Sequence, residues 1–252
     1  MEKMPKFLAT RKLFIIIAAV AVLFVLALVT GASMVANQNP RKAVALTFDD
    51  GPDPRYTPKI LAILEKNHIK ATFFLIGSRV NMFPNLARQV ASHGHLIGNH
   101  TYYHVKLKGL TEDQIKEEID WCEKTIYRVT GEKPQYFRPP KGYFNDETIQ
   151  VASKAGYKVI LWDIAVEHRR SHTPEREAER VLRKVRPGDI ILAHDGLLNR
   201  EKTVKALPLI IEGLKKQGYD FVTLDELLKI RTSEPGQDKF IGHSKEDESI
   251  VR

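Results

Sequence analysis

The sequence contains a single cysteine, Cys122, among 252 residues, so no intrachain disulfide can form and the fold depends on packing alone. Cys122 lies in a helical pattern beside Trp121, one of only two tryptophans, and this pattern predicts a core position. No internal repeat is present, which excludes a repeat array. Acidic residues are the minority, 31 against 39 lysines and arginines, and the net charge is +8.

One long hydrophobic run occupies residues 13–36, interrupted only by Thr30, Gly31 and Ser33. It is long enough to cross a bilayer, which takes about 20 residues. The basic segment 1–12 predicts a cytoplasmic N-terminus and an extracytoplasmic remainder. A cleaved signal peptide, which would make the protein secreted, is the alternative, although its apolar core is usually about 7–15 residues. We therefore predict a single-pass protein of the cell membrane.

The rest of the chain is predicted to form one domain at 42–230, after a linker at 37–41 and before a polar, disordered tail at 231–252. We expect this domain to act as a monomer. An exported basic domain is attracted to anionic lipid or wall polymer. Because lysine and arginine are scattered and export is predicted, we expect no nucleic-acid partner.

Short apolar segments alternate with amphipathic helical ones between 42 and 230. Seven strands are predicted, at Ala43–Phe48, Ala71–Ile76, Leu96–Gly98, Tyr136–Arg138, Lys158–Trp162, Asp189–Ala193 and Phe221–Thr223. Seven helices are predicted, at Pro58–Asn67, Asn85–His93, Thr111–Val129, Glu147–Ala155, Pro174–Val185, Val204–Gln217 and Leu224–Ile230. This order predicts an α/β fold, a distorted or incomplete (β/α) barrel of about seven parallel strands, with an open doubly wound sheet as the alternative.

The segment Thr47-Phe48-Asp49-Asp50-Gly51-Pro52 places two carboxylates at the end of the first predicted strand. Two acids held so close raise each other's pKa unless a cation lies beside them. The pair therefore suggests a metal ligand next to a base. The simpler interpretation, an acidic solvated turn, holds for most isolated Asp-Asp-Gly sequences.

Histidines follow the third predicted strand, in Gly98-Asn99-His100-Thr101-Tyr102-Tyr103-His104. The four-residue spacing of His100 and His104 would place both imidazoles on one face of a helical turn. With Asp50 they complete a set of two imidazoles and one carboxylate, which suits zinc, with nickel, cobalt or manganese also compatible.

Three further side chains lie at predicted strand ends. Arg138 can hold a carboxylate through a bidentate contact. Two prolines, Pro139 and Pro140, fix the loop after it, so that a backbone N–H can face an oxyanion. His194 follows an apolar strand and suits a general acid.

Together these residues resemble the polysaccharide deacetylases with a NodB-homology domain, carbohydrate esterase family 4. The resemblance covers about residues 40–230 and includes five segments in order: Thr47–Pro52, Ala71–Gly77, Gly94–His104, Arg138–Gly142 and Leu192–His194. It implies a distorted (β/α) barrel and metal-dependent removal of N-acetyl, sometimes O-acetyl, groups from polysaccharides.

The resemblance also implies a role for each matching position. Asp49 would be the general base, oriented by Arg138, and His194 the acid that protonates the leaving amine. The metal ligands would be Asp50, His100 and His104. The backbone N–H of Lys141 would stabilise the oxyanion, and Trp162 and Leu192 are candidates for the wall around the acetyl methyl group.

Two departures from the family pattern stand out. Lys141 replaces a frequent tyrosine, which a backbone contact tolerates. His168-Arg169 replaces the Asp-Trp pair whose acid is expected to tune His194, and Asp163, Glu167 and Asp195 are candidates to substitute for it. We expect a membrane-anchored deacetylase of peptidoglycan or chitin-like glycan. The alternative is a glycan-binding or wall-organising protein with weakened or no catalysis.

Overall fold

The computed structural model describes residues 42–169 and 171–232. The predicted basic segment, membrane anchor and linker, at 1–41, lie outside this part of the chain, as does the predicted tail from residue 233. Among the described residues, no helix has both the length and the apolar character that a membrane span needs.

Eight strands form one parallel sheet in the described residues. They are β1 (Ala43–Asp49), β2 (Thr72–Leu75), β3 (Leu96–Asn99), β4 (Tyr136–Phe137), β5 (Lys158–Val159), β6 (Ile164–Ala165), β7 (Ile190–His194) and β8 (Asp220–Val222). The strand order is β5-β4-β3-β2-β1-β7-β6, and β8 also pairs with β1. Within the described chain no pairing joins β5 to β6, so the (β/α) barrel is incomplete, as the sequence predicts.

Eight α-helices connect the strands in the described part of the chain. They are α1 (Thr57–Asn67), α2 (Gly77–Met82), α3 (Pro84–Ser92), α4 (Glu112–Thr130), α5 (Asp146–Lys154), α6 (Pro174–Lys184), α7 (Glu201–Lys216) and α8 (Leu224–Thr232). The longest, α4, begins with a capping box in which Thr111 and Gln114 each accept the other's backbone N–H. It ends at Gly131, whose φ of 77° suits glycine.

The central strand β1 is buried along its whole length, and its side chains alternate between two layers. Val44, Leu46 and Phe48 pack outward in the core that the helices cover. Ala43 and Ala45 belong to the second core, inside the barrel. The same alternation turns Asp49, at the end of the strand, into the barrel interior. Its register partner on β7 is His194.

The predicted seven strands were one too few. The predicted strand Lys158–Trp162 is shorter in the structure, where β5 ends at Val159, and the unpredicted β6 follows five residues later. A two-residue strand carries too little alternation to be recognised in a sequence. The six-residue helix α2 was also missed, because it is too short for a helical period to show. The other boundaries agree with the predicted ones to within three residues.

Candidate active site at the carboxyl ends of the strands

A cavity of about 340 Å³ opens at the carboxyl ends of β1, β3 and β7. The predicted site residues that line it are Asp49, Asp50, His100, His104, Lys141, Trp162, Leu192 and His194. Arg138 is the exception, because it lies fully buried behind Asp49. The structure therefore brings together side chains that are up to 145 positions apart in the sequence.

Asp49 is held from behind by Arg138. The Arg138 Nη1 donates to Oδ1 of Asp49 at 2.7 Å and to Oγ1 of Thr47 at 2.9 Å. The other guanidinium nitrogens donate to the carbonyls of Ile160 and Leu161. Burial lowers the pKa of Arg138 from its ordinary value, and the neighbouring Asp49 opposes that shift. The contacts fix Oδ1 of Asp49 and leave Oδ2 on the side of the cavity, 3.7 Å from Nε2 of His100.

Asp50, His100 and His104 form a group whose potential ligand atoms all lie within 4.8 Å of one another. Oδ1 of Asp50 is 3.2 Å from Nε2 of His104 and 3.6 Å from Nε2 of His100. The backbone carbonyl of Arg138 lies 2.7 Å from Nδ1 of His100, so Nδ1 donates and the lone pair of Nε2 faces Asp50. Two imidazoles and one carboxylate fit a divalent transition metal. Burial disfavours charge on Asp50, but the neighbouring imidazoles of His100 and His104 outweigh it and keep the pKa of Asp50 well below its usual value.

The two histidines do not share a helical turn, and that part of the sequence interpretation was wrong. Residues 100–106 form an irregular loop in which Thr101 and His104 have φ values of 64° and 57°. The Oγ1 of Thr101 accepts the His104 N–H, and Glu118 on α4 accepts the N–H groups of Tyr102 and Tyr103. Local polar contacts, rather than helical periodicity, therefore bring the two imidazoles together.

His194 has an acidic partner, Glu167. The Oε2 of Glu167 lies 3.1 Å from Nδ1 of His194, and Oε1 accepts the His194 backbone N–H at 3.0 Å. Thr203 on α7 donates to the same Oε1 at 2.8 Å. Burial opposes charge on His194, but Glu167 outweighs it and raises the pKa of His194 above its ordinary value. The pKa of Glu167 shifts downward, because the same partner outweighs the effect of its burial.

The two other candidate acids lie elsewhere. Asp163 pairs with Arg231, whose Nη2 is 2.7 Å from its Oδ2. Asp195 accepts a hydrogen bond from the Thr57 hydroxyl at 2.5 Å. Of the three residues that the sequence leaves open, Glu167 is therefore the one that contacts His194.

Lys141 has a φ of 60° in a 3₁₀ turn, Pro140–Gly142, which follows β4. The next residue, Gly142, packs against the ring of Trp162, and a Cβ there would lie 2.6 Å from the ring atom Cη2. Trp162 and Leu192 are both buried. The turn and these two side chains therefore form a fixed part of the cavity wall.

The sequence interpretation missed Arg200, which also lines the cavity. Its Nη2 donates to Oδ2 of Asp50 at 3.2 Å, and its Nε donates to the carbonyl of Gly196 at 2.9 Å. Arg200 precedes α7 and belongs to none of the motifs, so the sequence carried no signal that pairs it with Asp50, 150 positions away.

Residues 36–160 match the family model described as polysaccharide deacetylase. A peptidoglycan-N-acetylglucosamine deacetylase from Bacillus cereus is 42% identical over 195 residues, which is 77% of this chain and 91% of that protein. The peptidoglycan-N-acetylmuramic acid deacetylase PdaA from Bacillus subtilis is 34% identical over 191 residues, covering 74% of this chain and 72% of that protein.

Solved structures agree with this match. The peptidoglycan deacetylase PdaC from Bacillus subtilis has a TM-score of 0.70 at 34% identity, covering 77% of this chain and 93% of that chain. A CE4 family pseudoenzyme from Bacillus anthracis also has a TM-score of 0.70, at 32% identity, covering 81% of this chain and 71% of that chain.

The chain therefore belongs to the polysaccharide deacetylase family, carbohydrate esterase family 4, and its class is that of a hydrolase. This confirms the family that the sequence motifs predict.

Proposed function

We propose that the protein removes N-acetyl groups from a cell-wall glycan, releasing acetate and leaving a free amine on the sugar, with a divalent metal as cofactor. The observation that carries the proposal is the position of Asp49. Its carboxylate lies between Arg138, at 2.7 Å, and the imidazole of His100, at 3.7 Å. A base fixed beside a potential metal site suits the metal-assisted hydrolysis of an amide.

Asp50, His100 and His104 would hold the metal. When bound, a divalent cation lowers the pKa of a neighbouring water and polarises a carbonyl oxygen. Zinc suits this ligand set, and cobalt, nickel and manganese are also compatible with its donor types.

Asp49 takes a proton from the attacking water, whose oxygen then bonds to the acetyl carbon. Because Arg138 occupies Oδ1 of Asp49, the proton goes to Oδ2, the oxygen nearer His100. The backbone N–H of Lys141 donates to the negative oxygen that develops. Trp162 and Leu192 enclose the acetyl methyl group.

His194 gives a proton to the amide nitrogen as the carbon–nitrogen bond breaks. Glu167 holds the imidazole through Nδ1, so Nε2 is the atom that donates. The products are acetate, which keeps the oxygen of the water, and an amino sugar, whose nitrogen receives the proton from His194. Glu167 thus takes the place of the acid that His168-Arg169 lacks.

The alternative, a glycan-binding protein without catalysis, rested on that missing acid. Because Glu167 lies 3.1 Å from His194 and can serve as that acid, the sequence argument for the alternative no longer holds. A pseudoenzyme exists among the related structures, so the alternative has to be tested directly.

Acetate release decides between the two functions. Metal-free protein is incubated with peptidoglycan or an N-acetylglucosamine oligosaccharide, alone and with zinc, cobalt, nickel or manganese. We expect metal-dependent release that Asp49→Asn abolishes. Asp225→Asn, on α8 and away from the cavity, is the control. No release with any metal, with glycan binding retained in Asp49→Asn, would support the alternative.

We also propose that residues 13–36 anchor the protein in the cell membrane as a monomer, with residues 42–230 extracytoplasmic and no nucleic-acid partner. The length of the apolar run and the basic residues before it support this location. Membrane fractionation and protease protection of spheroplasts test it. Recovery of a shortened protein from the medium would support the cleaved alternative.

A further inference from the structure

The mouth of the cavity has an apolar part and a basic part. Leu197 and Leu198, in the loop between β7 and α7, line the cavity and are exposed. Lys141, in the loop after β4, lines it as well and is also exposed. A neutral sugar ring needs only the apolar and hydrogen-bonding parts, so the basic part calls for its own explanation.

A second lysine, Lys106, does not line the cavity but contacts the loop that carries Lys141. The Nζ of Lys106 is 5.2 Å from the centroid of the Tyr143 ring, within the range of a cation–π contact. Lys106 comes two residues after His104, and Tyr143 comes two residues after Lys141. The contact therefore joins the two loops that supply His104 and Lys141 to the cavity.

The position of Tyr143 is constrained by its neighbour. Gly142 has a φ of 65° and packs against the ring of Trp162, so the turn cannot move without disturbing the cavity wall. The Tyr143 ring in turn holds the Lys106 ammonium, which as a long flexible side chain would otherwise sample many positions.

Neither lysine is neutralised within the described residues. Other lysines pair with carboxylates, for example Lys116 with Asp120 and Lys202 with Glu177. In the part of the chain that the structure covers, no carboxylate lies within 4.0 Å of the ammonium of Lys106 or Lys141. The acids at the base of the cavity already face cationic groups, Asp49 facing Arg138 and Asp50 facing Arg200. Lys106 and Lys141 therefore add positive charge to these two loops that no described carboxylate offsets by direct contact.

We propose that Lys106 and Lys141 bind a carboxylate carried by the glycan close to the reacting N-acetyl group. The protein would then prefer a glycan whose sugars bear carboxylic acid substituents, such as muramic acid, over neutral N-acetylglucosamine polymers. This inference rests on the proposed deacetylase function. Tyr143 is a positioning residue for the Lys106 ammonium.

The test compares two oligosaccharides of equal length, one of N-acetylglucosamine alone and one in which N-acetylglucosamine alternates with N-acetylmuramic acid. The readout is the ratio of kcat/KM for the acidic substrate to that for the neutral one, at low and at high salt. We expect a ratio above one that falls about threefold or more in Lys106→Gln, because an exposed ion pair contributes modestly. High salt should lower the wild-type ratio by screening.

Matched variants separate charge from general damage. Lys108→Gln removes an exposed lysine two residues further along the same loop and should leave the ratio unchanged. Tyr143→Phe keeps the ring and should keep the ratio, whereas Tyr143→Leu should lower it. A ratio in Lys106→Gln equal to that of the wild type, or a wild-type preference for the neutral substrate, would overturn the inference.

Equilibrium binding of both oligosaccharides, measured by calorimetry on the same proteins, keeps the two proposals apart. If neither substrate releases acetate, the proposed function fails, and the binding ratio still decides whether this edge selects a carboxylate. Mass spectrometry of the product identifies which sugar, glucosamine or muramic acid, has lost its acetyl group. This shows whether the bound carboxylate belongs to the reacting sugar or to its neighbour.

Discussion

Glu167 holds His194 through both of its carboxylate oxygens, with Oε2 3.1 Å from Nδ1 and Oε1 accepting the backbone N–H at 3.0 Å. One carboxylate therefore fixes the ring and the main chain of the proposed general acid together. Glutamine at position 167 has the same shape as glutamate, so it would keep some of these contacts with His194 but would lose the negative charge.

Glu167→Gln should therefore lower kcat for acetate release by about 10- to 100-fold, with a smaller change in KM, because the charged imidazole loses its counter-ion. Steady-state kinetics with saturating metal measures this. Asp163→Asn is the matched control, since that acid pairs with Arg231 instead, and it should change kcat by no more than about threefold. Equal losses in both variants would contradict the role given to Glu167.

Arg200 should set the affinity for the metal through Asp50. Its Nη2 donates to Oδ2 of Asp50 and so leaves Oδ1 for the cation. Arg200→Gln and Arg200→Lys, which both lose the fixed guanidinium, should bind zinc about tenfold more weakly in a chelator competition. Lys205→Gln, an exposed change on α7, should bind normally. Tighter binding in Arg200→Gln would mean that charge repulsion outweighs orientation.

Arg138 and Asp49 form a buried pair whose members should depend on each other for stability. Removing one leaves the other charge without a partner, so Arg138→Met should lower the free energy of unfolding by about 3–5 kcal/mol. The Asp49→Asn/Arg138→Met double variant should recover about 1–3 kcal/mol of that loss. Urea denaturation of the metal-free proteins measures the cycle, and strictly additive effects would show that the pair is not coupled.

Glu177 should make stability depend on pH. It is fully buried on α6, with Lys202 Nζ 2.9 Å from its Oε1, and burial raises its pKa from 4.5 to about 7. Between these two values the folded state binds more protons than the unfolded state, so stability falls as pH rises through that window. The free energy of unfolding of the wild type, relative to Glu177→Gln, should fall by about 1–3 kcal/mol between pH 4.5 and pH 8. A difference that stays constant over this range would contradict the prediction.

Some of the site could be predicted because it follows from periodicity and strand ends. Alternation along β1 separates the directions of successive side chains, and Asp50, with a φ of 75°, has already left the strand. The two acids at the strand end predict a metal ligand next to a base, and the structure gives the two side chains different positions in the site. His100 and His104 were placed together correctly for an incorrect reason, since the loop geometry depends on distant contacts such as that with Glu118.

The parts that could not be predicted depend on tertiary register. Glu167 reaches His194 because β6 pairs with β7, with Ala165 opposite Leu192. Glu167 follows the end of β6 by two residues, and His194 follows Leu192 by two, so the two residues lie at the same level. Because no local pattern indicates β6, Asp163, Glu167 and Asp195 remained equal candidates for the partner of His194. Arg200 was missed because its contact with Asp50 depends on how α7 begins against β1, which no local pattern records.

Asp49 and His194 are register partners on the neighbouring parallel strands β1 and β7. The distance between the proposed base and the proposed acid is therefore set by the spacing of the sheet, about 4.8 Å between strands, and not by any loop. The residues proposed to meet the sugar chain, Lys106 and Lys141, lie on loops instead. Exchanging the loops at 105–111 or 141–145 for those of relatives that act on other sugars should thus change which glycan is accepted and leave the proton-transfer pair in place.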